Sequence, residues 1–132
     1  NFFISPGSVA QWAGLEALTN PDVERDVARM RGLYDERRRF IVPRLREMGF
    51  GVVREPQGAF YVLANASAFT TDSHAFAFEV LEGAHVGVTP GTDFGERGEG
   101  YIRFSYANSL ENIAEGLSRI ERFLAGRGKA RP

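Results

Sequence analysis

Gly98–Ser109 reads GEGYIRFSYANS, and its centre, Tyr101–Tyr106, sets one arginine, Arg103, among aromatic and apolar residues. In an extended chain alternate side chains point to opposite faces. Ile102, Phe104 and Tyr106 therefore share one side, while Tyr101, Arg103 and Ser105 share the other. The first side is core. The second sets a guanidinium beside a ring and a hydroxyl, which fits either an ordinary solvated sheet face or a place where an anion binds. The pattern by itself leaves both readings open.

Working outward, Ser109 is placed to cap a final helix whose Leu110, Ile113, Leu117, Ile120 and Leu124 recur at helical spacing. Glu115 and Arg119 are positioned to pair on its outer face. Upstream lies the glycine-rich loop TPGTDFGERGEG, Thr89–Gly100, preceded by a short strand at Val86–Val88. Thr71 or Asp72 starts a helix through Phe76, Val80 and Leu81 that stops at Gly83. Gly51–Ala64 reads as a hairpin: Val52 and Val53, a turn at Glu55–Gly58, then Ala59–Leu63 returning.

Asn20-Pro21-Asp22 supplies an N-cap, a first-turn proline and an acid at the positive end of a long helix. Its stripe runs through Val23, Val27, Met30, Tyr34, Arg37, Ile41, Leu45 and Met48. Pro43 should kink it or loosen its last turns, and Gly49 and Gly51 end it. Ser8-x-x-Gln11 has the form of a capping box for a first helix carrying Val9, Trp12, Leu15 and Leu18. The order α-α-β-β-α-β-β-α predicts an α+β fold, a small and mainly antiparallel sheet of about four strands with helices on one face. Without repeats or a linker, residues 1–132 read as one domain, and from Gly126 on, residues 127–132 included, the chain reads as a basic, frayed tail.

The chain's 132 residues are 43% hydrophobic and 25% charged, enough for one core. Sixteen basic against seventeen acidic residues leave a net charge of −1, which gives no support to a nucleic-acid or anionic-membrane surface. The absence of cysteine excludes disulfides, thiolate catalysis and thiolate metal sites. No apolar run reaches the roughly 18 residues of a membrane span, and no signal peptide is visible. The cytoplasm is the default compartment. Eleven Phe, four Tyr and one Trp, with a start at Asn1-Phe2-Phe3-Ile4 lacking an initiator Met, fit a piece of something larger whose remainder covers some of those side chains.

Most candidate chemistry has a plainer explanation. The glycine loop lacks a G-K-[ST] ending and leads into a strand, so phosphate-cradle readings fail and a steric role is expected. His74 and His85 lack partners at metal-ligand spacing, and no metal site is expected. No serine sits in a G-x-S-x-G elbow. Arg37, Arg38, Arg39, Arg44 and Arg46 are interleaved with Glu36 and Glu47 and read as a solvated or partner-facing helix surface. Arg103 differs: a strand arginine boxed by aromatics is preorganised for a bidentate pair with a carboxylate, although the pattern alone favours an interface or surface salt bridge.

NFFISPGSVAQWAGLEAL, EPQGAFYVLAN and VGVTPGTDFGERGEGYIRFSYANSLENIAEGLSRIERFL together resemble the C-terminal, small domain of fold-type I, pyridoxal-phosphate-dependent aminotransferases of classes I and II, near the aspartate aminotransferase-like branch. The motifs are P-x-G-A-F-Y from Pro56, P-G-x-x-F-G from Pro90 and R-x-S-Y-A-x-S from Arg103. The resemblance implies that Arg103 binds the substrate α-carboxylate, that Phe94 lines the site entrance and that Gly58 leaves room near it. It implies a pyridoxal 5'-phosphate enzyme moving an amino group between an amino acid and a 2-oxo acid, usually as a homodimer. The chain departs from that pattern in its lysines: Lys129 is the only one, and it lies outside any S-x-x-K-like context. The Schiff-base lysine and phosphate-binding groups are thus expected in a large domain N-terminal to Asn1, with residues 1–20 as the junction. This chain alone is expected to hold no cofactor and to be inactive. The alternative is a stand-alone, non-catalytic binding or interaction module derived from the same fold.

Overall fold

The computed structural model describes residues 5–127; the apolar start Asn1–Ile4, Lys129 and the rest of the tail lie outside the described residues. Two units make up the chain, Asn1–Leu33 and Tyr34–Pro132.

The first unit holds helix α1, Ser8–Thr19, and the opening turns of helix α2, Pro21–Glu47. The predicted capping box does not form. Gly7 is the N-cap and Ser8 is already helical, so the Gln11 amide donates to the Pro6 carbonyl at 2.7 Å instead. Asn20 does cap α2, its Oδ1 accepting from the Asp22 N–H at 2.8 Å. No residue of α1 is buried, and Trp12 is 71% and Leu18 88% exposed.

The second unit holds the core. Strands β1 (Tyr61–Asn65), β2 (Thr89–Pro90) and β3 (Tyr101–Ser105) form an antiparallel sheet in the order β1-β3-β2. Val62, Ala64, Ile102 and Phe104 alternate onto one face and join a single apolar cluster. Ile41, Val42 and Leu45 of α2 belong to it, as do Phe76 and Val80 of helix α3 (Ser73–Ala84) and Ile113, Leu117 and Ile120 of helix α4 (Leu110–Arg127). Asp72 caps α3 through the Ala75 N–H at 2.9 Å, and Ser109 caps α4 through the Asn112 N–H at 3.2 Å. The α+β architecture agrees with the sequence reading, with three strands in place of four.

The missing strand is the first arm of the expected hairpin. Gly51 makes only an isolated bridge to Asn65. Beyond it the Val52 carbonyl accepts from Arg46 at 3.2 Å, and Ala59 turns the chain with φ of +61°. Pro56 has no N–H to give a ladder. Val86–Val88 does not pair either; His85 closes α3 in the left-handed region, and pairing begins at Thr89. Pro43 lies inside α2, which continues to Glu47, just short of Gly49. Gly126 and Arg127 are helical, contrary to the frayed reading. Arg127 forms an ion pair with Glu79, donates to the Phe69 carbonyl at 3.1 Å and lies 5.0 Å from the Phe76 ring centre.

Candidate functional site

β3 is the central strand, and Arg103 is its middle residue. Its neighbours across the sheet are Leu63 on β1 and Thr89 on β2. Alternation places Arg103 opposite the core, on the face where Tyr61, Leu63 and Ser105 remain exposed. One terminal nitrogen of the guanidinium donates to the Thr89 hydroxyl at 3.2 Å. The guanidinium carbon lies 5.0 Å from the Phe94 ring centre and 5.6 Å from that of Tyr61. Both distances lie within cation–π range.

Its Nε is buried and has no hydrogen-bond partner. A buried N–H left unsatisfied costs on the order of 1–3 kcal/mol and calls for a ligand or another physical cause. Among the described residues no carboxylate lies within ion-pair distance of Arg103. The helix arginines contrast with it. Arg38 pairs with Asp35 at 2.8 Å and Glu55 at 3.4 Å, Arg39 with Asp35 at 2.6 Å, and Arg44 with Glu121 at 3.1 Å. The basic run of α2 is therefore largely matched by acids, some of them far along the chain. Arg103 is held by rings and a hydroxyl.

Phe94 reaches Arg103 because the glycine loop is folded tightly. Gly91–Phe94 and Glu96–Gly98 are short 3-10 turns separated by Gly95, whose φ is +115°. Gly91 and Gly98 pack backbone to backbone: a Cβ on Gly91 would lie 2.2 Å from the Gly98 carbonyl oxygen. The steric reading of this loop is its physical role. Phe94 is 57% exposed, with its ring centre 5.0 Å from the guanidinium carbon.

Gly58 is not brought to Arg103. It lines an adjoining open groove with Val53, Pro56, Tyr61, Leu63 and Tyr101, and a Cβ there would meet nothing within 4 Å. The structure thus joins Arg103 to Phe94 and leaves Gly58 one groove away, connected through Tyr61. Tyr61 and Thr89 were absent from the sequence-derived site. Tyr61 carried a signal in the P-x-G-A-F-Y motif; Thr89 carried none, because the strand there was expected earlier at Val86–Val88.

Tyr106 supports the same region from the core side. It is buried, its hydroxyl donates to the Ala59 carbonyl at 3.2 Å and its N–H to the Phe60 carbonyl at 2.8 Å. Burial pushes its phenol above the ordinary value. These bonds fix the turn from which Tyr61 enters β1. No group of three metal-ligating side chains occurs among the described residues, and none of their helices is long and apolar enough to cross a membrane.

Fold and site together define an α+β domain with one covered sheet face and, on the other, an arginine beside two aromatic rings. The family model described as aminotransferase class I and II matches residues 1–120, and the chain belongs to that family. It is 46% identical over 119 residues to an aspartate aminotransferase of Pyrococcus horikoshii, covering 90% of this chain and 30% of that protein. Among solved structures, an aromatic aminotransferase from Pyrococcus horikoshii superposes with a TM-score of 0.84 at 40% identity, over 89% of this chain and 31% of that one. A Thermus thermophilus aspartate aminotransferase with maleate gives 0.79 at 43%, over 90% and 30%. The chain spans about 30% of the length of the curated relatives it matches.

Pyridoxal phosphate, the cofactor of this family, needs an amine for its Schiff base and a cradle for its phosphate. The described residues include no lysine to supply that amine. These residues do not fit the cofactor.

Proposed function

We propose that this chain is the small, C-terminal domain of a pyridoxal-phosphate aminotransferase. In it Arg103 binds the α-carboxylate of the amino-acid and 2-oxo-acid substrates. The observation that carries the reading is a guanidinium within cation–π reach of Phe94 and Tyr61, bonded to the Thr89 hydroxyl and paired with no acid among the described residues. Its two terminal nitrogens can present the parallel donors that a carboxylate accepts in two hydrogen bonds. Such a pair fixes orientation as well as position, so the bond to be broken at the substrate's α-carbon is aimed before reaction. Lysine would supply a point charge without that direction.

The relatives support a role for Arg103 in reading what substrates share. One is an aspartate aminotransferase and another an aromatic one. Aspartate and the aromatic amino acids differ in side chain and have the α-carboxylate in common. Maleate, present in a third relative, is itself a carboxylate ligand. The cofactor and its lysine belong to the remainder of the whole protein in this reading, and the 132-residue chain alone neither holds the cofactor nor transaminates. The apolar helix α1, without one buried residue, serves as the junction that the remainder covers. The whole protein acts as a homodimer, the usual assembly of the family.

The test is steady-state kinetics of the full-length protein. Arg103→Ala should raise KM and lower kcat/KM by about ten- to over a hundredfold, the equivalent of roughly 1.5–3 kcal/mol for a charge-assisted hydrogen bond. Near-normal kinetics would overturn the assignment.

A further inference from the structure

The glycine loop that carries Phe94 leaves the sheet at Pro90 and returns at Gly100. Its two ends are braced differently. At the inner contact Gly91 and Gly98 meet through backbone alone. At the return, one carboxylate oxygen of Glu99 accepts the N–H of Ser73 at 2.8 Å and that of Gly100 at 2.7 Å. Ser73 is the first residue of α3 and is fully buried, so its N–H has no water to turn to. Gly100 sits at φ of +78°, and its carbonyl accepts from the Ala66 N–H at 2.7 Å. One side chain therefore joins the loop's return, the start of α3 and, through Gly100, the segment after β1.

We propose that Glu99 is a positioning residue for carboxylate binding: by tying the loop's return to the start of α3, it holds Phe94 over the Arg103 guanidinium. Glu99 makes no contact with Arg103 and acts through the loop. Phe94 follows Gly91 by three residues, and the Gly91–Gly98 contact makes the loop a closed ring, so its placement is passed to the ring face 5.0 Å from the guanidinium. Without Glu99, the Ser73 N–H loses its acceptor and the loop return loses its anchor. Phe94 then leaves its place, and Arg103 regains rotation that carboxylate binding must remove again. The inference rests on the carboxylate role proposed for Arg103.

Maleate binding to the full-length protein, measured by calorimetry, tests it together with the melting temperature. Glu99→Ala should raise the maleate Kd about tenfold, whereas Glu99→Gln, which keeps an acceptor of the same shape, should raise it only about two- to threefold. Neither change should weaken binding further in a Phe94→Ala background, because both act through that ring. A lowered melting temperature with wild-type maleate affinity would overturn the proposal, as would a loss that persists without Phe94. Should Glu99→Ala not fold, Glu99→Gln decides on the same two criteria. Arg103→Ala separates the layers. If it binds maleate as wild type does, the carboxylate role itself has failed; if it loses binding while the Glu99 variants do not, only the role of Glu99 has.

Discussion

Ile102 and Phe104 on one face of β3, and Arg103 on the other, come from a single five-residue strand but are governed by different forces. Ile102 is completely buried and Phe104 nearly so, among side chains from α2, α3 and α4. Their interactions are many, apolar and undirected. Arg103 has a hydroxyl, two ring faces and an unpartnered Nε. Its interactions are few and directional. The covered face makes the domain stable, and the open face keeps one costly group oriented. Substitutions on the two faces should therefore separate stability from binding.

The largest effect belongs to the covered face. Ile102→Ala should cost about 2–5 kcal/mol of stability, since a buried aliphatic side chain leaves both lost transfer energy and a cavity. Chemical denaturation of the full-length protein measures it, and carboxylate affinity in the fraction that remains folded should stay near wild type. Equal loss of both would mean that the two faces are not separable.

Tyr106→Phe is a smaller change that crosses the boundary. It keeps the ring in the core and removes the bond to the Ala59 carbonyl, worth about 0.5–1.5 kcal/mol. Because that carbonyl belongs to the turn before Tyr61, the variant should weaken carboxylate binding by a few-fold as well as lower stability. Stability loss with unchanged binding would confine Tyr106 to the core.

Acid should act gradually. The N–H groups of Ser73 and Gly100 hold the Glu99 carboxyl below its ordinary value of 4.5, against the opposing effects of desolvation and, less strongly, of Asp72. The Arg119 guanidinium does the same for Glu115, and Arg38 for Asp35. Each of these groups binds protons more weakly folded than unfolded. Their stabilisation is thus complete above the unfolded value and is lost as pH falls through the lowered, folded one. The melting temperature should hold from neutral pH to about 5 and decline below about 4.5, near the unperturbed carboxyl range. Glu99→Gln should flatten part of that decline; an unchanged profile would show that the Glu99 bonds do not contribute.

The sequence made these two faces legible to different degrees. Alternation in Tyr101–Tyr106 assigned every β3 residue to its face, because strand period is a local property. Helices α3 and α4 were legible for a similar reason: Asp72 and Ser109 cap them through their own near neighbours. What lies beside Arg103 was not local. Thr89 reaches it only through the register of β2, and one residue of shift there exchanges the faces. Tyr61 comes from a strand some forty residues earlier, across the sheet. The misread hairpin has a comparable cause. Val52 looks like a strand residue, but the core takes its side chain and Arg46 takes its carbonyl. The glycine loop was legible as steric, while the pairing of Gly91 with Gly98 needed three dimensions.

The central claim is that the open face of β3 holds a directional carboxylate clamp, and Arg103→Lys tests it most directly. Maleate binding to the full-length protein should weaken about tenfold or more in Arg103→Lys, close to the loss in Arg103→Ala, because a lysine keeps the charge and loses the planar fork. Wild-type affinity in Arg103→Lys would contradict the account and reduce Arg103 to a point charge.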